Sequence, residues 1–315
     1  MLVSICIPTY NRLAFLQEAV TSGLNQSYAN IEIVIGQDPT PNGIELSIQN
    51  WVLEQQKVDK RIVYFFNKKN LGLGGNWNAC LQKATGDYYI MIGDDDRLLP
   101  NCIEKLLEGA KQGAVVSFCN QYLINEKGVR LEDKSVLFTE KYKRNLLKQG
   151  FVKDAEEVIW QNSVPSSAAL VNTKIAQSLL YKADLNTPEI ELFLRINQVN
   201  NHFYFIPDYL MEFRVHEKSS TSSGLMQEKL VGYLIPIPVA AKHQTIRDQF
   251  LIRIASSSIN NLILAGDKLK LTHFLNLLKK NQLIKTKKLK TMLVMTQLFP
   301  FGLLKLIIKL KRNLA

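Results

Sequence analysis

The chain has 315 residues, 46% of them hydrophobic and 21% charged, the balance of an ordinary folded globular protein rather than a disordered or fibrous one. Its net charge of +11 is uneven: residues 229–315 hold 16 Lys and Arg against Asp248 and Asp267 alone, leaving 23 basic and 26 acidic side chains before them. Cys6, Cys80, Cys102 and Cys119 lie far apart in apolar stretches with no CxxC spacing, which reads as reduced core thiols of a cytoplasmic protein rather than a disulfide framework.

The opening "MLVSICIP" carries no basic leader and reads as a first strand, not a signal peptide. Apolar runs at 3–8 (VSICIP), 31–36 (IEIVIG), 61–66 (RIVYFF), 88–93 (YYIMIG) and 114–119 (AVVSFC) predict strands. Between them, stretches such as "NRLAFLQEAVTSGL", with Leu13, Leu16, Val20 and Leu24 at helical spacing, predict amphipathic helices. Near-continuous apolar strands alternating with helices predict an α/β, Rossmann-like unit of four to five mostly parallel strands, covered on both faces. From about 150 to 225 the pattern is mixed: "NSVPSSAALV", "PEIELFLRINQV", "HFYFIP" and "YLMEFRVH". Residues 226–313 read as helical, interrupted by "IPIPV" at 235–239 and by Pro300. There is no repeat at solenoid spacing and no long Gly/Ser linker.

In open α/β sheets, ligands bind beyond the carboxyl ends of the strands, where strand order switches. Here the first strand ends in Pro8-Thr9-Tyr10-Asn11, the second in Gly36-Gln37-Asp38 and the fourth in Asp94-Asp95-Asp96. Adjacent carboxylates repel, and burying them is costly unless something positive compensates. A solvated turn tolerates three aspartates, but a strand end shared with Asp38 favours function. Carboxylate oxygens suit Mg²⁺ or Mn²⁺, which bind few protein ligands and bridge to substrate phosphates. In an extended chain Asp94 and Asp96 would point one way and Asp95 the other, giving one face to metal and the other to nucleoside or structure. Two other phosphate or cation motifs fail. "NLGLGGNWN" lacks the GK[ST] ending of a P-loop and an acidic ribose-binding partner, and the aspartates lack EF-hand spacing. Kinase and dehydrogenase readings weaken with them.

The segments "VSICIPTYNR" (3–12), "EIVIGQD" (32–38), "NLGLGGNWNACLQKATGDYYIMIGDDDRLLP" (70–100), "EIELFLRI" and "FRVH" (213–216) together resemble family 2 glycosyltransferases, over about residues 1–220. The resemblance implies a GT-A fold, an inverting reaction, a nucleoside diphosphate sugar donor and a divalent metal. It further implies a catalytic domain over 1–225, with donor binding in about 1–120 and the acceptor side in about 121–225, followed by a helical basic region at 226–315. By position it gives the nucleotide cradle to Pro8, Thr9, Tyr10 and Asn11, and base reading to Asp38. Asn70 goes with the donor site, Asp94 lies near the ribose, and Asp95 and Asp96 go to the metal. Gln37, Pro39-Thr40, Gly93 and Pro188 depart from the family pattern; Gly93 stands where many members have the first Asp of DxD.

Attack by an acceptor hydroxyl needs a general base. The resemblance assigns that role to Glu189 or Glu191, near Arg195; a helix start with acidic residues in its first turn is the plainer reading. His216 matches a position that ligates metal or contacts phosphate. Trp160, Asn162 and Ser166 fall on the acceptor side, "NSVPSS" being otherwise a turn into a helix from Ala168. Trp160 and Trp77 are candidates for sugar stacking or for plain core packing.

The tail from Lys268 combines Leu, Ile and Phe with lysines and no acid. Its longest uncharged run, Thr291 to Leu304, contains Pro300 and falls short of the roughly 20 residues that span a bilayer. It reads as an amphipathic surface for anionic lipid at the inner face of the cell membrane, or as a helical cap with solvated lysines. Nucleic acid is disfavoured because aromatic interleaving is sparse. The resemblance implies transfer of a sugar to a glycan or lipid-linked acceptor, in the manner of bacterial surface polysaccharide synthesis. A sugar nucleotidyltransferase and a non-catalytic nucleotide-sugar-binding scaffold are the alternatives.

Overall fold

The computed structural model describes residues 1–215 and 227–313, with side chains to residue 310. His216 lies outside them. The described residues form two compact units, one of 1–184 with 188–215, the other of 185–187 with 227–313.

The first unit opens as alternating strands and helices: β1 (Val3–Thr9), α1 (Leu13–Leu24), β2 (Ile31–Gln37), α2 (Leu46–Val58), β3 (Ile62–Phe66), α3 (Gly72–Lys83) and β4 (Tyr88–Met91). It continues through β5 (Arg97–Leu98), α4 (Cys102–Lys111), β6 (Val116–Ile124), α5 (Glu132–Lys141), β7 (Gly150–Phe151) and α6 (Ala155–Trp160). It closes with β8 (Ala169–Asn172), α7 (Thr173–Leu179), α8 (Glu189–Val199) and β9 (Phe203–Arg214).

These strands make one nine-stranded sheet in the order β3-β2-β1-β4-β8-β6-β9-β5, with β7 on β9. β1 pairs in parallel with both β2 and β4, so strand order reverses at β1. Val3, Ile5 and Ile7 of β1 are fully buried beside Ile33 and Ile35 of β2, Ile90 of β4 and Leu16 and Val20 of α1. All four cysteines are buried with free thiols.

The sheet exceeds the four to five strands expected from the sequence. Ala169–Asn172 is a strand, not the start of a helix, because it pairs antiparallel with both β4 and β6; the helix begins four residues later, capped by Asn172. "HFYFIP" and "YLMEFR" fuse into β9, which pairs with β6 through a shift in register at Asn120. Pro207 cannot donate to a ladder, and its carbonyl instead accepts from Asn120 Nδ2 at 2.7 Å.

The second unit is helical: α9 (Gln227–Leu234), α10 (Gln244–Ala265), α11 (Lys268–Lys280), α12 (Lys287–Leu298) and α13 (Phe301–Asn313). α10 buries Leu251, Ala255, Ile259 and Ile263 along one face, and α11 buries Leu271, Phe274, Leu275 and Leu278. Between them Gly266 takes a left-handed φ of +82°, and Asp267 caps α11 at the Lys270 amide. Among the described residues, no helix is long and apolar enough to cross a membrane.

Candidate active site

The switch point at β1 gathers the polar strand ends. Thr9, the last residue of β1, links two of them: its carbonyl accepts from the Asp38 amide at 3.1 Å, and its hydroxyl donates to Asp94 Oδ2 at 2.7 Å. The chain at Asp38 and the Asp94 carboxylate are thus tied to the same residue at the switch point.

After Met91 the chain leaves the extended conformation. Asp94 and Asp95 form a turn closed by the Asp96 amide donating to the Gly93 carbonyl at 3.1 Å. Strand alternation, which would set Asp95 apart from the other two, therefore does not apply. Asp94 and Asp95 together hold the Arg12 guanidinium, with Nη1 3.4 Å from Asp94 and in a tighter ion pair with Asp95. Asp96 turns inward, accepting from the Arg214 amide at 3.0 Å and bonding with Ser167. A Cβ on Gly93 would lie 2.6 Å from Asp95 Oδ1, so an acidic residue here would crowd the turn.

Arg214 braces the turn from below. Its side chain, 1% exposed, donates Nε to the Asp95 carbonyl at 2.8 Å, Nη1 to the Glu126 carbonyl at 2.9 Å and Nη2 to Glu18 at 2.6 Å. Its guanidinium also lies over Phe15, 4.6 Å from the ring centre. Burial raises Asp94 to about 6 against the pull of Arg12, Thr9 and the Tyr10 amide. Burial and the neighbouring Asp95 push Asp96 well above the usual carboxylate range. These groups are held where a carboxylate is poorly solvated.

Asp38 is buried and accepts from Asn67 Nδ2 at 2.8 Å and the Leu71 amide at 3.1 Å. Burial raises its carboxyl; these donors oppose the rise. Asn67 also reaches Asn76 Oδ1 at 3.0 Å, and Asn76 donates to the Gly36 carbonyl at 2.9 Å. Asn70 is exposed, its Nδ2 on the Pro39 carbonyl. Pro8 is half-buried, Tyr10 is 42% exposed, and exposed Asn11 takes a left-handed φ of +55°, a conformation asparagine tolerates.

α8 separates the two glutamates. Glu191 is buried and receives Arg195 Nε at 2.7 Å and Nη2 at 2.6 Å, with Lys182 Nζ at 3.8 Å. Arg195 also donates to the carbonyls of Leu179 and Leu180. Glu191 is thus the anionic half of a fixed ion pair. Glu189 is half-buried, and burial of its carboxyl raises it to about 7. Its charge is among the causes that hold the Tyr181 hydroxyl up. Tyr181 meets Tyr89 hydroxyl to hydroxyl at 2.7 Å and packs edge-on against Trp77 at 5.1 Å.

On the acceptor segment, Trp160 is 1% exposed, with Nε1 donating to Glu156 at 3.4 Å; it is a core residue, as is Trp77. Asn162 has a left-handed φ of +61° and Ser166 is half-buried. The side chain of this segment that meets the acidic turn is Ser167, one residue beyond the serine singled out from the sequence. Sequence reasoning also passed over Arg12, Arg214 and Asn67. The signals were a base directly after the first strand-end loop and an arginine inside the apolar run "LMEFRV".

A sheet whose order reverses under a cluster of carboxylates defines an α/β fold with its ligand crevice at the switch point. Residues 4–161, half of the chain, match the family model described as glycosyl transferase family 2, and the chain belongs to that family. It is 28% identical over 236 residues, 74% of this chain and 77% of the other, to an uncharacterized glycosyltransferase of Methanocaldococcus jannaschii. Over 127 residues, 40% of each chain, it is 34% identical to the GalNAc(5)-diNAcBac-PP-undecaprenol beta-1,3-glucosyltransferase of Campylobacter jejuni. An abequosyltransferase of Salmonella typhimurium is 35% identical over 38% of this chain and 36% of its own. Among solved structures, S. aureus TarS 1-349 in complex with UDP-GlcNAc superposes with a TM-score of 0.66, at 14% identity over 99% of this chain and 92% of that one. The mannosyltransferase PcManGT from Pyrobaculum calidifontis, in complex with GDP-Man and Mn²⁺, gives 0.57 at 15% identity over 98% and 86%. The fold is the GT-A fold, and the activity of the chain is that of a glycosyltransferase.

Proposed function

We propose that the protein moves a sugar, with inversion, from a nucleoside diphosphate donor to a hydroxyl of a glycan or lipid-linked acceptor in bacterial surface polysaccharide synthesis. The observation that supports this reading is the bridge through Thr9, which ties the chain at Asp38 to the Asp94–Asp95 turn at the switch point. Asp38, together with Pro8, Thr9, Tyr10, Asn11 and Asn70, takes the nucleoside, a reading that similar structures support: TarS is seen with UDP-GlcNAc and PcManGT with GDP-Man.

The donor set fits a divalent cation such as Mn²⁺ or Mg²⁺. It offers hard carboxylate oxygens, and the Arg12 guanidinium resting on both Asp94 and Asp95 shows that the pair accommodates positive charge. Asp95, held at the turn by its own carbonyl on Arg214, would hold the ion with Asp94; Asp96 is committed to the Arg214 amide and Ser167. When bound, the ion neutralises charge on the departing diphosphate. Glu189 takes the proton of the attacking hydroxyl, since it is the glutamate of α8 outside the ion pair and its raised carboxyl titrates near neutral pH. Asn162, Ser166 and the loop around them border the acceptor. The second unit, rich in lysine and with exposed leucines on α12 and α13, rests on an anionic membrane surface at the inner face, close to lipid-linked acceptors.

A panel of UDP-, GDP- and dTDP-sugars with Mn²⁺ tests the reaction. Release of a nucleoside diphosphate supports it; release of pyrophosphate, or tight binding without turnover, overturns it. Asp95→Asn should abolish metal-dependent donor affinity with the fold intact by circular dichroism. Unchanged nucleotide affinity in Mn²⁺ would refute the role of Asp95.

A further inference from the structure

Within the second unit, α10, α12 and α13 pack against one another but not completely. They leave a cavity of about 570 Å³ walled by Ile263 of α10, Met292 and Met295 of α12, and Leu304, Ile307 and Ile308 of α13. A gap of this size in a helical bundle forfeits contacts on every wall, and it lies within the roughly 300–1,000 Å³ range of small-molecule sites. The exposed wall is mostly apolar, with Asn260, Thr291 and Thr296 as its neutral polar members, which disfavours filling by water alone. Two of its side chains are methionines, whose unbranched thioethers adapt to a flexible occupant.

Charge defines the rest of the occupant. Lys287 and Lys288 line one end of the cavity and are exposed, and no acidic residue follows Asp267 in the chain. The acid that α10 brings toward this end of α12, Asp248, is paired with Lys285 and Arg247, so an anion is met by the ammonium groups of Lys287 and Lys288, and an apolar segment attached to it would run on between the helices. Outside the cavity, α13 presents Leu303, Leu306 and Leu310, which are 41%, 54% and 54% exposed, at helical spacing beside Lys305 and Lys309. A hydrocarbon chain leaving a bilayer would reach the cavity along an apolar face rather than through water.

We propose that this cavity binds one acyl chain of an anionic phospholipid, its headgroup phosphate held by Lys287 and Lys288. The inference rests on the reading of the second unit as membrane-facing, and adds to it a one-to-one lipid site as distinct from a charged surface. Lysines alone would recruit any anionic vesicle; the cavity selects a lipid that has both a net negative headgroup and a chain.

The test uses the full chain and short-chain phosphatidylglycerol below its micellar concentration, with calorimetry as the readout. Phosphatidylcholine of the same chain length and inorganic phosphate are the parallel arms. The expected result is one phosphatidylglycerol per chain, at least tenfold weaker phosphatidylcholine, and no detectable heat with phosphate. Met295→Trp and Ile307→Trp, which fill the cavity, should abolish that one-to-one binding. Because filling variants can misfold, the exposed pair Lys287→Gln/Lys288→Gln is measured as well, with at least tenfold weaker phosphatidylglycerol expected. Unaltered binding in this pair or in folded filling variants overturns the proposal, as does phosphate binding as tightly as the lipid. A cavity filled by a second copy of the chain would appear as a dimer in sedimentation that the filling variants dissociate, and that too overturns it. Cosedimentation with phosphatidylglycerol vesicles separates the two ideas: vesicle binding without binding of monomeric lipid removes the cavity and leaves the surface, whereas the reverse removes the surface.

Discussion

Glu189 and Glu191 are two positions apart on one helix and meet opposite conditions. Glu191 is buried with a guanidinium gripping both oxygens, so removing its carboxylate strands Arg195 against the Leu179 and Leu180 carbonyls. Glu191→Ala is expected to cost about 3–5 kcal/mol, the typical loss when one partner of a buried pair is removed, read as a lower urea midpoint at constant m. Glu189 is the reverse case. Burial raises its carboxyl to about 7 from an ordinary 4.5, so the folded protein keeps a proton that the unfolded chain releases. Stability therefore falls as pH rises from about 4.5 to about 7 and stays lower above. Glu189→Gln is expected to raise stability by about 1–3 kcal/mol at pH 8 and to change nothing below pH 4, as seen in thermal midpoints across pH. The same substitution should lower kcat roughly 10²- to 10⁴-fold. In the native enzyme kcat/KM should drop as pH falls below about 7, where Glu189 is protonated and no longer a base. A flat profile from pH 5 to 8 would remove Glu189 from the reaction.

At the scale of elements, the site depends on how closely β2 and α3 approach. A Cβ on Gly36 would sit 2.6 Å from Cys80 Sγ, 2.7 Å from Phe65 Cζ and 2.8 Å from Asn76 Oδ1. Gly36→Ala is expected to destabilise by about 1–3 kcal/mol, the usual cost of overpacking, and to disturb the chain from Asn76 through Asn67 to Asp38. Urea unfolding checks the first effect, and weaker nucleotide affinity at saturating Mn²⁺ the second. The same elements show what the sequence makes legible. β1, β2 and β4 lie inside the sheet and are buried along nearly their whole length, so they read as unbroken apolar runs, while β3 at the sheet edge is apolar though only partly buried. β5 and β7 are two residues each and β8 is four; such strands exist through partners distant in sequence, and no local period announces them. The aspartates could be placed at a strand end, but not oriented. The chain turns at Asp94 and Asp95, and turn geometry rather than pleat alternation decides which carboxylates share Arg12. Motif spacing found the acids, whereas Arg12 and Arg214, the cations that make burying them tolerable, come from a loop and a strand far apart in the chain. Only folding brings them to the same turn.

Over the whole molecule, charge is segregated: residues 1–228 carry 23 basic and 26 acidic side chains, a sum of −3, and residues 229–315 carry 16 and 2, a sum of +14. A chain of mild overall composition thus presents a strongly cationic second unit, and the exposed apolar residues Val294, Leu298, Leu303, Leu306 and Leu310 lie among its lysines. Attraction to an anionic bilayer has a part that salt screens and a part that it does not. Each lysine near the surface contributes about 1 kcal/mol, so Lys287, Lys288, Lys290, Lys305 and Lys309 together are worth roughly 5,000-fold in partitioning at low salt. Raising ionic strength from about 0.1 M to 1 M shortens the screening length from about 10 Å to 3 Å and should release most of the protein from phosphatidylglycerol vesicles. The fraction that stays bound at high salt reports the leucines inserted at the headgroup boundary. Replacing the five lysines with glutamine should abolish sedimentation with these vesicles at 0.1 M salt while far-ultraviolet circular dichroism is unchanged, since none of the five makes an ion pair among the described residues. If the quintuple variant still sediments with anionic vesicles at 0.1 M salt, positive charge does not hold this unit to a membrane.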